Sequence, residues 1–325
     1  MLAIRPVFSL LLLCLFIIVP FSALAGPKSC DKRANNTNSK LLECVTLEGV
    51  RAHQEAFQAI ADANGGTRAS GTPGYDASVD YVVESLLAAG YNITLQEFVV
   101  GSVTTSNVIA ETTSGDSNNV IMIGAQLDSV TLGPGIQNNG SGSAAILEVA
   151  VQMARVRPRN TVRFAWWGAE ELGLAGSSYY VSSLSQEELD NIALYLNFDM
   201  IGSPNFVRFI WDGAGGPNGS ESIEDFFAGF YAGLGLPYEE KTFDASSAYQ
   251  AFIDASIPAG GLFTGSNGIK TEAQVVIYGG TAGDQYDPCY NLACDTFDNI
   301  SLEVLDQNAD AVAASTLYYA NKKMQ

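Results

Sequence analysis

Residues Thr161 to Gly176 read T-V-R-F-A-W-W-G-A-E-E-L-G-L-A-G. Thr161 to Trp167 is a β-branched and aromatic run of strand length, Gly168 breaks it, and apolar spacing from Leu172 to Leu184 predicts a helix. Glu170 and Glu171 therefore fall at the carboxyl end of a strand, the edge of an open α/β sheet where ligands bind. Two adjacent carboxylates repel, so the pair calls for a cation, a shared proton or a charged substrate group. The other reading of the same residues is a solvated pair at the amino end of the next helix.

Working outward, strand, loop and helix alternate. Helices are expected at Leu47 to Ala61, Asp76 to Ala89 and Ser141 to Arg155, and strands at Asn92 to Val100, Ser106 to Glu111 and Asn119 to Ala125. Beyond the central stretch come strands Ile192 to Phe198 and Phe206 to Trp211, a helix Glu221 to Leu234, and a strand Pro237 to Phe243. A short helix Ser247 to Asp254 and a last strand Ile257 to Thr264 follow; a long loop then leads to a closing helix, Leu302 to Asn321. Asn35 to Ser39 reads as loose polar chain. This order predicts an α/β three-layer sandwich, a mostly parallel mixed sheet with helices on both faces. Gln126, Asn138, Glu170, Glu171 and Asp199 all fall at or just after strand ends, where one polar cluster can form.

The first 25 residues read as a secretory signal: Arg5, an apolar run from Leu10 to Val19, and Ala23-Leu24-Ala25 before Gly26. Pro20 interrupts that run, which is short for a membrane span. The mature chain is then secreted, with no membrane segment, and carries Cys30, Cys44, Cys289 and Cys294. An even count in an exported chain argues for two disulfides, most simply the two sequence-local pairs; zinc held by thiolates is the alternative, without a C-x-x-C pair to support it. Sequons stand at Asn35, Asn92, Asn139, Asn218 and Asn299. A net charge of −19 disfavours nucleic acid and anionic lipid as partners. The single histidine, His53, lies in the first long helix and reads as a surface or half-packed residue.

The blocks F-A-W-W-G-A-E-E-L-G-L, Y-L-N-F-D-M-I-G-S-P, P-A-G-G-L-F-T-G and G-G-T-A-G make the chain similar to the secreted co-catalytic zinc aminopeptidases, the family of bacterial leucyl aminopeptidases and fungal aminopeptidase Y. The resemblance runs from about Thr46 to the C-terminus. It implies one aminopeptidase-like domain over residues 26–325 without a protease-associated insert, a monomer, and substrates with free N-termini. In the family, two zinc ions clamp the scissile carbonyl and supply a hydroxide. The resemblance makes Glu170 the general base, Glu171 and Asp199 zinc ligands, and Tyr290 the residue that helps stabilise the oxyanion. Asp128 would orient the first ligand imidazole, and Asp306 and Asp310 match a pair that holds calcium in some members.

Three ligand positions depart from the pattern. H-L-D-S is here Gln126-Leu127-Asp128-Ser129, N-D-N-G-S-G is Gln137-Asn138-Asn139-Gly140-Ser141-Gly142, and C-Y-H is Cys289-Tyr290-Asn291. Two imidazoles and the bridging carboxylate have become carboxamides, and a neutral amide oxygen is a poor zinc ligand. R-S-D is here Ser246-Ser247-Ala248, so an Arg and an Asp are absent as well. The expectation is a homologue that is inactive or strongly impaired, kept for binding peptide N-termini through Glu170, Glu171 and Asp199. An active metallo-aminopeptidase with an altered site, holding one hard cation, is the alternative. A metal-free hydrolase working through a carboxylate pair is a third reading.

Overall fold

The computed structural model describes residues 30–324. The signal reading of residues 1–25 lies outside them. Helices α1 (Asn38–Leu42), α2 (Leu47–Ala63) and α3 (Pro73–Ala89) precede strands β1 (Asn92–Val100), β2 (Val103–Glu111) and β3 (Asp116–Gln126). Then come α4 (Gly140–Met153), β4 (Asn160–Trp167), α5 (Ala175–Ser183), α6 (Gln186–Asp190) and β5 (Ile192–Phe198). The remainder is β6 (Phe209–Trp211), α7 (Ser220–Gly233), β7 (Glu239–Lys241), α8 (Tyr249–Asp254), β8 (Ala259–Phe263), α9 (Glu272–Tyr278) and α10 (Leu302–Asn321).

The strands form one sheet in the order β1-β2-β4-β3-β5-β8-β6-β7. Its centre, β4-β3-β5-β8, is parallel; β1, β2 and β6 pair antiparallel to their inner neighbours. Alternation along β4 explains the sandwich. Val162, Phe164 and Trp166 face the core under α2, α3, α4, α7 and α10, while Ala165 and Trp167 face the smaller core under α5, α6 and α8. Every one of these five side chains is fully buried. Trp167 packs with Tyr195 and Phe252, whose rings stack at a 3.9 Å centroid distance.

Gly168 ends β4 because nothing larger fits: a Cβ there would lie 2.4 Å from the Tyr75 hydroxyl and 2.5 Å from the Ser106 carbonyl oxygen. The helix expected from Leu172 begins only at Ala175. Residues 170–174 form a turn instead, in which the Glu170 carbonyl accepts from the amides of Gly173 and Leu174 and Leu174 is left-handed at φ 59°. The Glu170-Glu171 pair is thus set in a turn, and α5 has no side-chain cap.

The expectation of a loose stretch at Asn35 to Ser39 is corrected. Asn35 is buried and donates to the Gln152 carbonyl at 2.8 Å, and Thr37 caps α1 by accepting from the Lys40 amide. The Cys30–Cys44 disulfide closes this unit, and Cys289–Cys294 closes the second local pair. α9 lies within what the sequence suggests is a long loop; Thr271 and Gln274 build a capping box at its start. Among the described residues no helix is long and apolar enough to cross a membrane.

Candidate functional site

The carboxyl ends of the parallel strands bring the expected residues together. Gln126 is the last residue of β3, Glu170 and Glu171 follow β4, and Asp199 follows β5. Asn138 stands two residues before α4, and Asn291 lies in the Cys289–Cys294 loop. Three non-glycine residues in the left-handed region touch this edge: Ala169 at φ 53°, Met200 at φ 49° and Asn291 at φ 58°. Such conformations cost free energy and persist where the surroundings hold them, which is common at functional sites.

The three amides do not stand as open acceptors. The Gln126 Nε2 group donates to Glu170 Oε2 at 2.9 Å and to Asn138 Oδ1 at 3.2 Å. The Asn138 Nδ2 group donates to Glu171 Oε1 at 2.8 Å and to Asn291 Oδ1 at 2.8 Å. Amide N–H groups therefore lie against the carboxylate oxygens, and the amides chain to one another. Asp199 is engaged on one oxygen only: Ser247 Oγ donates to Oδ2 at 2.8 Å, while Oδ1 is buried without a protein partner.

Burial governs the charge state of this cluster. Glu170 and Asp199 are 8% and 9% exposed. Burial first, then the charges of Asp199, Glu171 and Asp128, push the Glu170 carboxyl well above the carboxylate range. Burial and the neighbouring Asp128 and Asp199 carry Glu171 up to about 8. Burial raises Asp199 to about 6, against the Ser247 hydrogen bond that lowers it. Tyr290 is held above its ordinary value by burial and by Glu171, Asp199 and Glu170.

A set of supporting residues fixes the strand-end loops. Asp128 accepts from the Glu170 amide at 3.0 Å and the Glu171 amide at 3.4 Å, so it orients the turn that carries both glutamates; burial raises its carboxyl to about 7. Asp295 accepts from the amides of Gln137 at 2.8 Å and Asn138 at 2.9 Å. Arg68 is fully buried and donates to the carbonyls of Pro134 at 2.9 Å, Gly135 at 2.7 Å and Leu127. Burial lowers its guanidinium to about 10, with Asp128 and Asp295 opposing. Sequence reading passed over Arg68 and Asp295, and placed Ser247 in the Ser246-Ser247-Ala248 block without giving it a role. Arg68 lies in the turn before α3, far along the chain from everything it holds, and no local pattern marks it.

His53 lies outside this cluster, half-buried between Tyr81 at 2.7 Å and Glu148 at 3.3 Å. Asp306 and Asp310 are one turn apart on α10. Burial and Asp306 raise Asp310 to about 6, and burial and Glu48 raise Asp306. Among the described residues no three His, Cys, Asp or Glu side chains are placed to hold one metal ion.

The donor set at the strand ends decides how well it fits two zinc ions. Zinc sites use imidazole, thiolate and carboxylate. Glu171 and Asp199 are the only such groups at the five ligand positions given by the resemblance; Gln126, Asn138 and Asn291 are neutral, and two of them aim N–H donors at Glu170 and Glu171. Without a bridging charge the repulsion between two close cations is poorly offset. These residues do not fit a two-zinc centre.

The model of Peptidase family M28 matches residues 107–316. The chain is 49% identical over 272 residues to leupeptin-inactivating enzyme 1 of Streptomyces exfoliatus, covering 83% of this chain and 61% of that protein. It is 51% identical over 223 residues to leucine aminopeptidase 2 of Trichophyton rubrum, covering 67% of this chain and 45% of that one. The chain thus spans about three fifths or less of the length of these relatives. A zinc aminopeptidase from Bacillus subtilis superposes with a TM-score of 0.71 at 18% identity, covering 86% of this chain and 96% of that one, which shows the shared fold.

Proposed function

We propose that this chain, which belongs to peptidase family M28, is a secreted, catalytically silent or strongly impaired member that binds peptides by their free N-terminus. The observation that carries the reading is the amide network: Gln126 and Asn138 donate to Glu170 and Glu171, and Asp199 Oδ1 is left buried and unpaired. A lone buried carboxylate oxygen beside two further carboxylates is costly unless a cation meets it. A peptide ammonium supplies one positive charge and three N–H donors, which suits Asp199 Oδ1 together with the remaining capacity of Glu170 and Glu171.

The same arrangement disfavours turnover. The family pattern makes Glu170 the general base, and here its carboxyl is held well above the usual range by burial and accepts a hydrogen bond from Gln126, so it is a poor proton acceptor. Tyr290 and Glu171 remain as binding groups at the mouth of the same edge, and a hydrogen-bonded amide network keeps its shape without metal.

Calorimetric titration tests the reading with a leucyl tripeptide and its N-acetylated counterpart. Binding of the free amine alone is the expected result. Equal binding of both, or binding of neither, would overturn it.

A further inference from the structure

The five sequons are equivalent in sequence and divide sharply in the fold. Asn35 and Asn139 are 1% and 0% exposed. The Asn35 amide nitrogen donates to the Gln152 carbonyl at 2.8 Å, and that of Asn139 to the Phe198 carbonyl at 2.9 Å. Asn139 also accepts from the Gly142 and Met200 amides, so it joins α4 to the end of β5. Asn299 is half-buried and its amide nitrogen uses two donors, to Asp287 at 2.9 Å and Asp295 at 3.2 Å. Asp295 in turn holds the Asn138 amide. Asn92 and Asn218 are exposed.

Glycosylation makes the difference decisive. The oligosaccharyl group moves from a lipid-linked diphosphate donor: a bond forms between its anomeric carbon and the amide nitrogen, the anomeric carbon–oxygen bond breaks, lipid diphosphate leaves and the amide gives up one proton. The modified nitrogen keeps a single N–H and carries a bulky polar group that requires solvent. Asn299 uses both hydrogens, and Asn35 and Asn139 have no path to solvent.

We infer that Asn92 and Asn218 are the two N-glycan sites of the folded protein when it passes through a eukaryotic secretory pathway, and that the end of the sheet carrying the peptide site stays bare. Asn92 opens edge strand β1 and pairs with Glu111, which pairs with Arg163 toward the start of β4, the end opposite Glu170. Asn218 precedes Gly219, where a Cβ would lie 3.1 Å from Pro258, the residue just before β8 and again at the amino end of a parallel strand. A glycan on Asn92 also places a hydrated group at the head of an edge strand that exposes Leu95 and Val99, the kind of edge that pairs with other chains when left open. The inference rests on export of the chain and not on the state of the candidate site.

The test is secretion of the full chain from yeast, trimming with an endoglycosidase that leaves one N-acetylhexosamine per occupied asparagine, and peptide mapping of soluble material with both disulfides formed. Tags are expected on Asn92 and Asn218 and on no other sequon. Asn92→Gln and Asn218→Gln each remove one glycan, the double variant carries none, and Ser301→Ala, which deletes the Asn299 sequon while leaving its amide, does not change the mass of attached sugar. A tag on Asn35, Asn139 or Asn299 in that soluble material would overturn the inference. So would an untagged Asn92 or Asn218, or sugar remaining on the double variant.

Discussion

At the scale of single residues, Asp199 and the three amides carry the argument. Asp199→Asn keeps a partner for Ser247 and removes the charge from the unpaired oxygen, so the fold survives and affinity for a free peptide N-terminus falls at least about tenfold, roughly 1.4 kcal/mol. Calorimetry on the variant checks this; unchanged affinity would place the ammonium elsewhere. The amides make a complementary prediction. Gln126→His, Asn138→Asp and Asn291→His together restore the donor set of the family pattern at positions that already touch Glu170 and Glu171, directly or through Asn138. The triple variant is expected to take up zinc, read by elemental mass spectrometry. Each single variant leaves two amides among the ligands and is expected to take up far less.

Among the elements, the two disulfides separate stability from site geometry. Cys30–Cys44 closes a loop with a sequence separation of 14 around α1, which Asn35 ties to α4 at the Gln152 carbonyl, so replacing both by Ser costs about 3 kcal/mol by the loop-entropy relation and leaves peptide binding intact. Cys289–Cys294 has a separation of 5 and costs less, about 2 kcal/mol, yet it brackets Tyr290 and Asn291, so its removal weakens peptide binding. Urea unfolding beside calorimetry on both double variants reads the two effects. Arg68→Met leaves the carbonyls of Leu127, Pro134 and Gly135 without their donor and is expected to cost 3 kcal/mol or more, on the order of 1–3 for each buried unsatisfied group.

This is also where sequence reading reached its limits. The T-V-R-F-A-W-W run reads as a strand because β-branched and aromatic content over a strand's length is a local signal, and β5 and α10 keep their expected bounds because their signals are local too. The turn at residues 170–174 stayed hidden because apolar spacing from Leu172 onward reads as helix, whereas the Glu170 carbonyl closes on the Gly173 and Leu174 amides and Leu174 is left-handed, so the helix begins at Ala175. The site's polar residues were legible as strand-end positions. Their hydrogen-bond partners were not: Ser247 with Asp199, and Asp295 with Asn138, meet across 48 and 157 residues.

For the whole molecule, the buried carboxylates set the pH dependence of stability. Asp128, Glu171 and Asp199 are raised to about 7, 8 and 6 from ordinary values of 3.8, 4.5 and 3.8. A carboxyl raised on folding binds protons more tightly when native, so its stabilising contribution is present below about pH 4 and is lost as pH rises through the folded value. The thermal midpoint is therefore expected to fall between pH 5 and pH 8, the reverse of a protein held by ionised salt bridges. Glu171→Gln flattens that slope, and a leucyl peptide raises the midpoint most near pH 7, between the Asp199 value of about 6 and the peptide amine's ordinary value of about 8, where carboxylate and ammonium coexist. A midpoint that rises across the same range would contradict the charge state argued for this site.

The central claim is that amides have replaced a two-zinc centre in an aminopeptidase fold. Its most direct test is zinc content of the purified mature protein by elemental mass spectrometry, with leucine p-nitroanilide hydrolysis measured on the same sample with added zinc. The expected result is zinc far below one per chain and no chelator-sensitive turnover. Zinc at one or more per chain, with turnover that a chelator abolishes, would contradict it and show that Gln126, Asn138 and Asn291 complete a working metal site.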